Sequence, residues 1–120
     1  MNRHLLALAV LMMYIVLPEQ NSTLIIFPEQ GEAFYLVING LQQNQSPETN
    51  VKVSELNTLS YKVRIRFENT QMPDFERTIL SNERGMEATY KIKKNNKGRY
   101  VLHFLNEVPI HQTSQPAASQ

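Results

Sequence analysis

From Tyr61 to Phe67 every second residue is apolar: Tyr61, Val63, Ile65 and Phe67 alternate with Lys62, Arg64 and Arg66. Side chains on a β-strand point alternately to its two faces, so this spacing gives one face to a core and the other to water. Met86–Lys93 repeats the pattern, setting Ala88, Tyr90 and Ile92 against Glu87, Thr89, Lys91 and Lys93. Asn95-Asn-Lys-Gly98 then turns the chain, and Arg99–Leu105 returns with Tyr100, Leu102 and Phe104 on one face. Phe34–Ile38 stops at Asn39-Gly40, two residues that tolerate the positive φ of a type I′ hairpin turn, so Leu41–Gln43 reads as a short return strand. Leu24–Phe27 is a further short run, closed by the turn Pro28–Gly31. Val51–Val53 is another, with Leu56 facing inward, and Phe75–Leu80 reads as a strand with a single helical turn as the alternative.

About seven short strands at roughly ten-residue intervals, with no helix between them, predict a small antiparallel β-sandwich. Its core should come from Phe34, Leu36 and Ile38, from Tyr61, Val63, Ile65 and Phe67, from Tyr90 and Ile92, and from Tyr100, Leu102 and Phe104.

The N-terminus follows a different pattern. Arg3 precedes the unbroken apolar run Leu5–Leu17, which ends at Pro18-Glu19. A cation followed by a short apolar run is the pattern of a secretory signal, and the run falls short of the roughly 20 residues that cross a bilayer. Residues 1–22 are therefore expected to be a signal peptide cleaved near Ser22. The alternatives are an uncleaved signal tethering the protein to an inner membrane and a buried core helix. Residues 23–107 are then the β-sandwich domain and 108–120 a disordered tail, too polar from Pro109 onward to fold.

Cysteine is absent, which excludes disulfides, thiolate metal sites and a lipoprotein anchor. An exported domain without disulfides points to a bacterial periplasmic or secreted protein. The formal net charge of +1 gives no whole-chain bias toward nucleic acid.

Residues suited to catalysis are scarce. His103 is the one histidine within the expected domain, and it points away from Leu102 and Phe104. Asp74 is the only aspartate, which argues against an oxygen-rich calcium loop. No serine lies in a Gly-x-Ser-x-Gly elbow, and Gly31, Gly40, Gly85 and Gly98 are scattered one to a turn. The chain is therefore expected to be no enzyme and to use no metal or cofactor. Asn21-Ser-Thr23 matches an N-glycosylation acceptor, a pattern too short to carry weight.

Two groups of cations stand out. Lys91, Lys93, Lys94, Lys97 and Arg99 surround the second hairpin, and Lys62, Arg64 and Arg66 line the outer face of Tyr61–Phe67. If the two strands were neighbours, the stripes would merge into one anion-binding patch for a polyanionic glycan or an envelope protein. The plainer reading is a solvated lysine face that guards a sheet edge against aggregation. A second functional reading is a protein-interaction module that recruits a partner by β-strand addition. A third is a protease-inhibitor-like domain acting through the loop Asn69–Glu76.

The succession Leu24–Phe27, Glu29–Gly40, Gln43–Gln45, Thr49–Val53 and Tyr61–Phe67, with the later block Gly85–Lys94, resembles the N-terminal β domain of uncharacterised secreted proteins of Bacteroidota. The likeness covers roughly residues 23–107. In that family a helical domain of unknown function often follows, in place of the polar tail found here. Phe34–Phe67 is more loosely similar to PEGA-type envelope domains, in which an Asn-Gly turn, a Pro-containing loop and a Tyr-x-Val-x-Ile strand follow in order. The resemblances imply a PEGA-like or immunoglobulin-like envelope sandwich that binds or scaffolds. They bring no catalytic residues.

Overall fold

A computed structural model describes residues 20–110. The apolar run Leu5–Leu17 and the tail beyond Ile110 lie outside the described residues.

Eight strands follow one another: β1 (Ser22–Pro28), β2 (Phe34–Ile38), β3 (Leu41–Gln42), β4 (Val51–Leu56), β5 (Ser60–Phe67), β6 (Phe75–Leu80), β7 (Met86–Lys94) and β8 (Tyr100–Pro109). They form two sheets of four, ordered β4-β1-β7-β8 and β3-β2-β5-β6. The inward residues of both sheets make one core, in which Leu24, Ile26, Phe34, Leu36, Val63 and Ile65 have no exposed surface. The fold is all-β, a small β-sandwich.

The period-two spacing fixes the faces correctly in β5, where Tyr61, Val63, Ile65 and Phe67 are buried and Lys62, Arg64 and Arg66 exposed. At the β2–β3 turn Asn39 and Gly40 have φ of 49° and 85°, and the Asn39 Oδ1 accepts the Lys62 amide at 2.9 Å. This ties the first hairpin to β5.

Four features depart from the sequence reading. The sandwich is not purely antiparallel, because β1 runs parallel to β7 from Thr23↔Glu87 to Pro28↔Ile92. Alternation dictates which face a residue takes and is silent about which strand lies beside it. Ser22, the expected cleavage point, is the first residue of β1 and is buried; its Oγ accepts the Gly85 and Met86 amides at 3.2 and 3.4 Å. The folded part therefore includes residues assigned to the signal.

β8 runs to Pro109, beyond the expected end of the domain at residue 107, with Val108 paired to Glu87 and Pro109 to Met86. A bulge makes this possible. Thr89 pairs with Asn106 and Tyr90 with Phe104, so Leu105 is the extra residue and the alternation resets after it. Phe104, expected in the core, is 47% exposed: it faces inward against the edge of the Tyr90 ring (5.5 Å), yet among the described residues no strand lies beyond β8 to cover it.

Besides Ser22 and Thr23, a third polar residue, Asn44, is buried. Asn44 is 6% exposed; its Oδ1 accepts the Leu36 amide and its Nδ2 donates to the Phe34 and Ser46 carbonyls, each at 2.9 Å. With Gln43 N–Leu36 O at 2.8 Å and the Phe34↔Glu48 bridge, the segment after β3 continues the ladder along β2. That side of the second sheet is closed by side chain and loop rather than by a full strand.

Candidate functional site: the hairpin end and the β8 edge

The two basic stripes do not merge. β5 belongs to the second sheet and β7 to the first, so Lys62, Arg64 and Arg66 look outward from one face and Lys91 and Lys93 from the other.

On the β5 face much of the charge is already answered. Arg64 lies 3.4 Å from both Asp74 and Glu76, and Arg66 stands over the Tyr35 ring at 4.9 Å while donating to Gln42 Oε1 at 2.8 Å. These side chains line a polar depression of about 470 Å³ with Lys62. On the opposite face Lys91 Nζ sits 2.8 Å from Glu29 Oε1. The hydrogen bond and charge of Lys91 hold the Glu29 carboxyl below its usual value against the opposing effect of desolvation, with lesser help from the charges of Lys93 and His103. His103 is exposed on the outer face, as its place in the alternation predicts.

Lys94, Lys97 and Arg99 are gathered at the tip of the β7–β8 hairpin. Asn95 shapes the tip: its Oδ1 accepts the Lys97 and Arg99 amides at 2.9 and 3.0 Å, and Gly98 takes φ of 77°. Lys94 Nζ lies 5.3 Å from the centre of the Tyr100 ring. Lys97 and Arg99 are exposed, and their side chains meet no partner among the described residues.

The loop before β6 faces this tip. Asn69 closes it, with its carbonyl accepting the Met72 amide and its Oδ1 the Gln71 amide, both at 3.0 Å. Phe75 and Glu76 of the expected inhibitor loop belong to β6. Between loop and hairpin lies a cleft of about 540 Å³, lined by Met72, Asp74, Phe75, Lys94, Arg99 and Tyr100. Its floor is aromatic: Phe67 lies 6.2 Å from Phe75 and 4.9 Å from Tyr100, centre to centre.

The long side of the sandwich carries a different surface. β8 is the edge of the first sheet and has ten residues. In an antiparallel pair the N–H and C=O of one residue point to the same side, so alternate residues of an edge strand present both groups to solvent. Arg99 O accepts the Asn95 amide, while Ile92 O accepts the Glu29 amide and so points away from β8. The residues directed at β7 are therefore Arg99, Val101 and His103, and the outward ones are Tyr100, Leu102 and Phe104. Arg77 agrees with this: its guanidinium, reaching across from β6, donates to the outward Leu102 carbonyl and stands 5.4 Å over the Tyr90 ring.

The other edges are less open. β3 has two residues, β4 carries Lys52 and ends beside Glu55 at φ of 62°, and β6 carries Glu76 and Arg77. β8 has no lysine or arginine from Tyr100 to Pro109, and Phe104 and Leu105 are 47% and 41% exposed. Lysines, inward charges and short strands are the usual guards of an edge, and here the central guard is a side chain borrowed from the other sheet.

Among the described residues no three His, Asp or Glu side chains gather where they could hold a metal ion. No family model, curated protein or solved structure matches the chain.

Proposed function

We propose that this is an exported, non-enzymatic β-sandwich module that binds a protein partner by accepting an extended strand along β8. The observation that carries the reading is the β8 edge: ten residues long, free of lysine and arginine, flanked by exposed Phe104 and Leu105, with outward N–H and C=O groups at Tyr100, Leu102 and Phe104. An incoming strand completes that row of backbone bonds and lays apolar side chains over Phe104. Its N–H takes the place of Arg77 at the Leu102 carbonyl. Affinity carried by backbone hydrogen bonds and apolar burial resists salt, unlike affinity carried by exposed charge.

The export half of the proposal rests on the run Leu5–Leu17 and the absence of cysteine. The resemblance to secreted envelope domains of Bacteroidota and to PEGA-type domains points the same way.

Capture of partners from an envelope extract at low and high salt, with wild type beside Phe104→Pro, tests the proposal. Proline at 104 removes an outward N–H and the exposed ring while leaving the bonds to β7 in place. The expected result is a partner that persists in high salt and is lost with the variant. A partner released by salt and retained by Phe104→Pro contradicts strand addition.

A further inference from the structure

We infer that the cleft at the hairpin end is a second, separate binding site, for the uronic acid units of an acidic glycan. The inference is independent of strand addition at β8.

Three properties of the cleft define its ligand. Its volume, about 540 Å³, suits a small ligand or a short stretch of a chain. Its floor is apolar, made of Met72 and of Phe75 and Tyr100 packed on Phe67, so the ligand brings an apolar surface. At its rim stands Arg99, an exposed cation without a partner among the described residues, with Lys94 beside it over Tyr100. Arg99 therefore has its charge available, whereas Arg64 and Lys91 are held by carboxylates. A planar guanidinium is the side chain best matched to a carboxylate.

The acceptors around the cations narrow the class further. Asp74 lies on one wall of the cleft. On the other side of Lys94 and Tyr100 is a second hollow of about 410 Å³, lined by Gln30, Glu32 and Lys93 among others. Carboxylates among the cations repel a densely charged polyphosphate backbone. They accept hydrogen bonds from hydroxyl groups. A ligand with one carboxylate per ring, several hydroxyls and apolar ring faces satisfies the cations, the acceptors and the floor together. The two hollows meet at Lys94 and Tyr100, so a chain of such rings runs across the hairpin end.

The test is calorimetric titration of the full-length chain with an oligogalacturonate, with amide chemical shifts followed in parallel. Its fully methyl-esterified form and a polyphosphate of equal charge serve as comparison probes. The expected result is binding that weakens as salt rises, with shifts at Met72, Phe75, Lys94, Arg99 and Tyr100. Esterification, Arg99→Glu and Lys94→Gln should each lower affinity about tenfold or more, the scale of one lost charge-assisted hydrogen bond. Lys62→Glu, on the outer face of β5, should leave affinity unchanged. Both cleft variants alter surface side chains, and thermal melts verify their folding. The inference is overturned by absence of binding at millimolar oligogalacturonate, by equal binding of the ester or the polyphosphate, or by wild-type affinity in folded Arg99→Glu and Lys94→Gln. None of these outcomes bears on capture at β8.

Discussion

Replacing Arg77 with alanine should weaken the fold and strengthen the β8 edge by similar amounts. The Arg77 guanidinium donates to the Leu102 carbonyl and covers the Tyr90 ring at 5.4 Å, joining the two sheets along their open side. A hydrogen bond to a charged group contributes about 1.5–3 kcal/mol, and an exposed cation–π contact about 0.5–1 kcal/mol. Arg77 is exposed, so water screens its charge, and the freed carbonyl at the sheet edge finds water at once. The net loss is therefore about 1–2 kcal/mol, or roughly 5–15 °C in the melting temperature of a domain this size. In the free protein the same contact competes with an incoming strand. Its removal should raise partner affinity about 5- to 30-fold, the factor equivalent to that free energy. Thermal melts and partner titration of wild type, Arg77→Ala and Arg77→Lys read both quantities, with lysine intermediate because it keeps the charge and loses the planar fork. An Arg77→Ala protein that melts lower and binds its partner more weakly would refute the competition. One that melts like wild type would refute the tie between the sheets.

Asn44→Ala leaves the buried Leu36 amide without its partner and the Phe34 carbonyl with the Glu48 amide alone, and denaturant titration should show a loss of about 1–3 kcal/mol. Asn44→Asp should recover little, since a carboxylate still accepts from Leu36 and cannot donate to Phe34. Burial first, then the neighbouring Tyr90 and Glu107, pushes the Tyr61 hydroxyl up to about 12. The folded protein thus holds this proton more tightly than the unfolded chain does, so the contribution is whole below pH 10 and disappears as pH rises through 12. About 2–3 kcal/mol should be lost across that window, read by denaturation at successive pH values beside the phenolate absorbance. Under the proposed export, processing should cut before Gln20, whose side chain lies against Gly85, because a cut after Ser22 removes the hydroxyl that binds the Gly85 and Met86 amides. Intact-mass measurement checks this, and a mature chain beginning at Thr23 contradicts it.

The faces of the sandwich are written in the sequence because burial has a period of two and leaves its mark at every step of β2, β5 and β7. The Asn39-Gly40 and Asn95–Gly98 turns are legible for a similar reason, since few residues tolerate their backbone angles. Strand neighbours leave no such trace: the parallel pairing of β1 with β7 and the separation of the two basic stripes depend on which sheet each strand joins. The Leu105 bulge is equally silent, as a single inserted residue looks like ordinary noise in the alternation. Asn44 sits in a polar stretch that reads as loop, and only the unpaired edge of β2 gives its amide a purpose. Arg77 occupies an inward position of β6 and draws its role from a carbonyl of the opposite sheet. Of the eight cations that the sequence singles out, the hairpin end keeps Lys94, Lys97 and Arg99 together, whereas Arg64 and Lys91 are bound to carboxylates. Charge counted along a chain does not record which anion faces it.

Amide hydrogen exchange along β8, with and without the captured partner, tests strand addition most directly. In the free protein the Leu102 and Phe104 amides face solvent and should exchange fast, while those of Val101 and His103, directed at β7, should be slow. Partner binding should slow Leu102 and Phe104 and leave Val101 and His103 as they were. Exchange at Leu102 and Phe104 that is unchanged in the complex would contradict the account.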